Sequence, residues 1–105
     1  MEQIDPEELV ENAEKASKLL KIMSHPSRLM VLCYLMNGER PVSAFNEAIP
    51  LSQSALSQHL AVLRESGLVD TRRESQAIHY RLTSKAVSRI LGALYRIYCK
   101  PNNKE

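Results

Sequence analysis

Residues 51–68 read LSQSALSQHLAVLRESGL. Leu56, Leu60 and Leu63 recur at helical spacing and mark an inward face, while Ser54, Ser57, Gln58, Ala61 and Arg64 share the outward side. Ser52 is placed to cap this helix and Gly67 to stop it. An outward face that needed only solubility would usually carry Lys and Glu, whose helix propensity exceeds that of Ser. Short side chains that both donate and accept suit base edges and phosphates in a DNA major groove. Small residues permit close approach, and the helix N-terminus offers free amides to a phosphate. Tolerated surface polarity explains the same residues when the helix is taken alone, so its neighbours must decide.

Upstream, Pro41 opens a short helix over residues 42–48, which Pro50 closes, so residues 41–66 read as helix, turn, helix. Downstream the apolar period changes to two. Leu68–Arg73 and Ile78–Leu82 are predicted strands joined by a tip over Glu74–Ala77, and residues 68–82 form a wing carrying Arg72, Arg73 and Arg81. Further out, Asp5-Pro6-Glu7-Glu8 is a helix start, with Leu9, Ala13, Ala16, Leu20 and Met23 on one face. A second helix starts around Ser24-His25-Pro26 and runs to Asn37-Gly38. Its stripe is Leu29, Leu32, Cys33 and Met36, and with Met30, Val31 and Leu35 also apolar it is expected to be buried on most sides. A last helix begins near Thr83 or Ser84, carries Val87, Ile90, Leu91, Leu94, Ile97 and Tyr98, and ends before Pro101. The expected fold is mainly α with a β-hairpin wing, a winged helix-turn-helix in the order α-α-α-α-β-β-α, as one domain over residues 1–105.

At 105 residues and 44% apolar content the core is small, which suits a dimer sharing core surface. Residues 1–14 hold six acids and no base, leaving 14 Lys and Arg against six acids in the rest, a net charge of +8 there. Such a basic body suits a polyanionic partner, although an ordinary solvated surface has the same composition. An acidic start and the lack of an 18-residue apolar run predict a cytoplasmic protein without membrane contact. Two cysteines, Cys33 and Cys99, are too sparse for a disulfide scaffold or a zinc ribbon, so resting thiols are expected.

The segments HPSRLMVLCYL (25–35), LSQSALSQHLAVLRESGLV (51–69) and HYRL (79–82) resemble the ArsR family of winged-helix repressors over roughly residues 13–99. The resemblance implies a homodimer paired through the first and last helices (residues 1–23 and 83–100), binding double-stranded DNA at an inverted-repeat operator. It places Gln53, Ser54, Ser57, Gln58 and His59 on the recognition helix. Ser54, Ser57 and Gln58 are the expected base readers, with Arg64 and the wing arginines Arg72, Arg73 and Arg81 completing the DNA-facing set. His59 either packs at the core edge or meets a phosphate.

Many relatives of this kind sense metals, but the third helix here has no Cys or His, and the last has no His, Asp or Glu. No metal site, cofactor or catalytic set is therefore expected. Cys33, in its apolar stripe, reads as a small buried hydrophobe. Cys99, off its helix's stripe and flanked by Arg96 and Lys100, reads as the more accessible thiol. A Cys in the second helix paired with one in a C-terminal YC segment resembles the HlyU, BigR and SqrR branch of the family. That likeness implies a redox switch in which reactive sulfur species or an oxidant bridges Cys33 and Cys99 and weakens DNA binding. A soft-metal sensor, an anti-silencer without a thiol switch, a thiol enzyme using Cys99 and a protein-binding winged helix are the competing readings.

Overall fold

A computed structural model describes residues 4–99. Five helices and a small sheet follow one another as α1 (Pro6–Met23), α2 (Pro26–Leu35), β1 (Arg40–Pro41), α3 (Val42–Ala48), α4 (Gln53–Glu65), β2 (Val69–Glu74), β3 (Ala77–Leu82) and α5 (Lys85–Tyr98). The winged helix-turn-helix order is as the sequence predicts, with one addition. Arg40 and Pro41 pair with Tyr80 and His79, so the wing is a three-stranded antiparallel sheet in the order β1-β3-β2. Pro41 has no amide to donate and is tolerated because β1 is an edge.

Local chemistry sets the helix ends. Asp5 accepts from the Glu7 amide at the start of α1, with Pro6 in the first turn. Ser52 Oγ accepts from the Ala55 amide at 3.1 Å, and Ser84 Oγ from the Val87 amide at 3.1 Å, capping α4 and α5. Helix α2 is capped by His25, whose Nδ1 accepts from the Ser27 amide at 3.2 Å. At the far end of α4, Gly67 takes φ +78°, donates to the Arg64 carbonyl, and lets Leu68 donate to the Leu63 carbonyl at 3.0 Å. This closing motif turns the chain directly into the wing. Thr83 then donates to the Leu68 carbonyl at 2.9 Å, tying the wing's return to the same corner.

The core joins Val31, Leu32 and Leu35 of α2 to Phe45, Leu56, Leu60, Leu63, Leu68, Val69, Val87 and Leu91, with Met23 and Ile49 at its margins. One burial expectation, that of Cys33, is corrected here. Helix α2 is apolar nearly all round, and its buried side, bearing Val31, Leu32 and Leu35, packs against α4 and β3. Met30, Cys33 and Met36 are left exposed, so Cys33 is not the buried hydrophobe its stripe suggested. On α1, Met23 alone of the predicted face is buried, and Leu9 and Leu20 are half-exposed at 51% and 50%.

The strand limits also shift. Pairing extends to Glu74 opposite Ala77, leaving only Ser75 and Gln76 as the turn. Ser75 adopts φ +57°, the left-handed conformation that a two-residue hairpin demands. Helix α5 ends at Tyr98 with Cys99 as its cap, and the predicted Lys100 and Pro101 lie outside the described residues.

Candidate nucleic-acid interface and thiol pair

Leu56, Leu60 and Leu63 anchor α4 to the core, which leaves Gln53, Ser54, Ser57, Gln58 and Arg64 exposed on its other side. Their side chains make no hydrogen bond to another described residue. The face is free to use both donors and acceptors, as base reading requires. His59 is placed differently. It is half-buried on the flank towards α2, its ring 4.6 Å from that of His25, and its Nδ1 accepts from Arg28 Nε at 3.3 Å. Burial first, then His25 and Arg28, push the His59 pKa below its ordinary 6.5, so the imidazole is neutral near pH 7.

The register of the wing separates its three predicted arginines. Val69, Thr71 and Arg73 share one face with Leu82, Tyr80 and Ile78, the face that covers the core near its root. Asp70, Arg72 and Glu74 share the opposite face with Arg81, His79 and Ala77. There Arg72 donates through Nε to both carboxylate oxygens of Glu39 (3.1 and 3.2 Å) and through Nη2 to Glu74 at 3.0 Å. Arg81 lies 3.8 Å from Asp70. The bonds from Arg72 hold the Glu39 carboxyl below its ordinary range. Arg73 has no carboxylate partner among the described residues. It stands on the same face as Ile78, which with Gln76, Val42, Ser43, Asn46 and Gln53 lines an open hollow between the wing tip and the starts of α3 and α4. A second hollow runs along α4 between Ser57, Ala61 and Arg64 on one side and Tyr80 on the other.

Ser43, Asn46 and Gln76 therefore join the predicted set. Sequence reasoning passed over them because single polar residues on a seven-residue helix and in a turn carry no periodicity. Only the fold brings them beside Gln53.

Both cysteines are free and exposed. Cys33 borders an open hollow with Leu29, Met30, Tyr34, Ala48 and Ile49, and these apolar walls disfavour its thiolate. Burial is the main cause that raises the Cys33 pKa above its ordinary 9.0, and the neighbouring Cys99 charge adds to it. The two thiols thus lie within electrostatic reach of each other. Among the described residues no group of three or more His, Cys, Asp or Glu is arranged to hold a metal ion. No helix among them is long and apolar enough to cross a membrane.

Comparison with known proteins agrees with this geometry. The family description "Bacterial regulatory protein, arsR family" matches residues 25–71, from the cap of α2 into β2. The transcriptional activator HlyU of Vibrio cholerae serotype O1 is 46% identical over 96 residues, 91% of this chain and 89% of that protein. The chain belongs to the ArsR family. A second relative, the biofilm growth-associated repressor of Xylella fastidiosa, is 45% identical over 89% of this chain and 82% of its own. The structure of reduced HlyU from Vibrio cholerae superposes with a TM-score of 0.84 at 46% identity, covering 89% of this chain and 98% of that one. As an ArsR-family member this chain is a DNA-binding transcriptional regulator, and its relatives are regulators rather than enzymes.

Proposed function

We propose that this ArsR-family chain is a homodimeric repressor that reads an inverted-repeat operator and releases it when Cys33 and Cys99 are bridged. Ser54, Ser57 and Gln58 read bases. Gln53 and Arg64 flank them along α4, Arg73 holds the backbone at the wing, and Arg72 and Arg81 contribute only if they exchange their carboxylates for phosphate. The exposed apolar residues of α1 (Leu9, Val10, Leu20) and of α5 (Tyr95, Ile97, Tyr98) are the surfaces for a second copy.

What supports the switch is a pair of exposed cysteines, Cys33 on α2 and Cys99 at the end of α5, with the charge on Cys99 a second cause, after burial, of the raised Cys33 pKa. With a persulfide RSSH, the Cys99 thiolate attacks the outer sulfur and expels RS⁻, giving Cys99–SSH. The Cys33 thiolate then attacks the inner sulfur, forms the Cys33–Cys99 disulfide and expels HS⁻. The couple consumes one persulfide and yields one thiol and one sulfide, and it needs neither metal nor base. The raised pKa of Cys33 makes it the resolving thiol. One related HlyU structure is of a reduced form, which is in keeping with a redox-responsive relative. A hundredfold loss of operator affinity needs only about 2.8 kcal/mol of difference between the two states.

The test is fluorescence anisotropy on the protein's own promoter region with reduced protein, persulfide-treated protein, and the latter returned to reductant. Reversible loss of affinity that vanishes in Cys33→Ser and in Cys99→Ser supports the proposal, and equal affinity in all states refutes the switch. A second reading, an anti-silencer that raises transcription, is in keeping with the relative named an activator. Transcription from the promoter with and without the chain separates the two. Two thiolates brought together would also suit a Cu(I)-like ion, which metal content and DNA release on metal addition would reveal.

A further inference from the structure

Arg28 lies at the start of α2, half-buried, and its guanidinium reaches two elements at once. Its Nη1 donates to the Ile22 carbonyl at 3.1 Å, and its Nε donates to His59 Nδ1 at 3.3 Å. Ile22 is in the last turn of α1, where carbonyls have no intrahelical partner. His59 is in the middle of α4 between Gln58 and Leu60, so its backbone is that of the outward reading row. Arg28 is thus a strut from the end of α1 to the recognition helix.

The strut works in one protonation state. For Nε–H of Arg28 to donate to Nδ1, the neutral His59 ring must carry its proton on Nε2. The neighbouring His25 obeys the same condition, because its Nδ1 accepts from the Ser27 amide to cap α2. A proton on His59 Nδ1 would replace an acceptor by a donor facing a fixed cation. The groups acting on His59 are His25 and Arg28 from α2, and α1 presents no charge there beyond the Ile22 carbonyl dipole. The neighbours of His59 on its own helix, Leu56, Leu60 and Val62, are apolar. Among the described residues no carboxylate pairs with it, so nothing at the site offsets a positive charge.

We propose that Arg28 is a positioning residue for DNA recognition, holding α4 in reading geometry through His59, and that protonation of this His59 contact loosens the recognition helix in acid. The inference rests on α4 being the DNA reader. The sign follows from the burial and cationic neighbours of His59, which hold its folded pKa below 6.5. The contact is intact above that value, begins to fail as pH falls through it, and is lost below the folded pKa. Protonation also adds positive charge, which strengthens sequence-independent binding. Discrimination between operator and random DNA is therefore the quantity that reports positioning, and affinity alone is not.

The experiment measures the ratio of dissociation constants for a scrambled duplex and a promoter duplex at constant ionic strength from pH 7.5 down to 4.5, the range over which the fold is intact being checked by circular dichroism, with reductant present throughout. In the unaltered protein the ratio is expected to hold above pH 6.5 and to fall below it, approaching a tenfold loss, equivalent to about 1.4 kcal/mol, only once His59 is fully protonated. His59→Asn keeps an oxygen where Nδ1 accepts but does not titrate, and is expected to flatten this profile. Arg28→Gln is expected to lower the ratio about tenfold already at pH 7.5 and to remove its pH dependence. Arg28→Lys, which keeps the charge but not the two-armed reach, should follow Arg28→Gln and serves if the latter does not fold. A ratio independent of pH in the unaltered protein overturns the inference, as does an undiminished slope in His59→Asn. Absence of discrimination at pH 7.5 in the unaltered protein overturns the DNA-reading assignment and this inference with it. Normal discrimination with no response to pH or to Arg28 overturns this inference alone.

Discussion

Arg73 and Arg72 are adjacent in sequence and identical in chemistry, and the structure assigns them opposite consequences. Arg73 is on the sheet face that continues towards α3 and α4 and has no carboxylate partner among the described residues. Arg72 faces away and already holds Glu39 and Glu74. Replacing each by Gln removes one charge without shortening the side chain greatly. If Arg73 neutralises one phosphate, its loss lowers the slope of log affinity against log salt by about 0.9 per protomer. Over a rise from 50 to 200 mM salt, that slope is worth a factor of about 3.5 per contact, or about 12 for two contacts in a dimer. Arg73→Gln should therefore weaken binding most at low salt and flatten the salt dependence by that amount. Arg72→Gln should leave the slope unchanged, because Glu39 and Glu74 already neutralise that charge. Anisotropy titrations of one promoter duplex at four or five salt concentrations give both slopes. Equal loss of slope in the two variants would refute the argument from register and ion pairing, and would mean that Arg72 leaves Glu39 when DNA arrives.

Other outcomes follow from local features. In Cys99→Ser the Cys33 alkylation midpoint should fall as the neighbouring charge is removed, yet stay above that of an ordinary thiol because burial remains. Iodoacetamide rates from pH 7 to 11 check this. Ser52→Ala removes the oxygen that caps α4 and should cost about 1 kcal/mol in urea denaturation. Ser75→Gly relieves a side chain held at φ +57° and should stabilise the fold by about 0.5–1 kcal/mol in the same assay, with the salt slope of DNA binding unchanged. Phe45→Ala, at a fully buried position between Tyr34 and Tyr80, should cost about 3–5 kcal/mol and leave little folded protein at 37 °C.

Much of this was legible because it rests on short-range chemistry. The caps at Asp5 and Ser52, the start of the last helix near Ser84, the break at Gly67 and the Leu56/Leu60/Leu63 phase are each set by short stretches of chain, and the structure has them where the sequence puts them. What was missed depends on distant partners. β1 is two residues long and includes a proline, so it has no periodicity, and only the position of β3 defines it. Cys33 was misplaced because α2 offers an apolar residue on almost every side, and a stripe can be drawn through Leu29 and Met36 as easily as through Val31 and Leu35. Packing against α4 selects the second, turning Cys33 outward. The wing arginines were legible as charges but not as pairs. Glu39 lies 33 positions before Arg72, and no local rule connects them.

Helix α2 explains how chemistry at a thiol can reach a reading helix through so small a core. It is ten residues long, with Arg28 in its first turn and Cys33 five residues on, about 7.5 Å along the axis at the usual rise. Its buried side, Val31, Leu32 and Leu35, packs in one cluster with Leu56, Leu60 and Leu63 of α4. Its exposed side presents Cys33 within reach of the charge on Cys99 at the end of α5. A bond between the two sulfurs would pull on α2 from the side opposite its contact with α4. Close-packed leucines pass such a displacement on instead of absorbing it. Arg28 would transmit the same displacement through a hydrogen bond that tolerates only a few tenths of an ångström before it is lost. Under the proposed switch, a bridged Cys33 and a protonated His59 would act on one rigid element from its two sides. Bridging of the cysteines by persulfide and the Arg28→Gln change should consequently be non-additive in operator affinity, whereas either combined with Arg73→Gln should be additive.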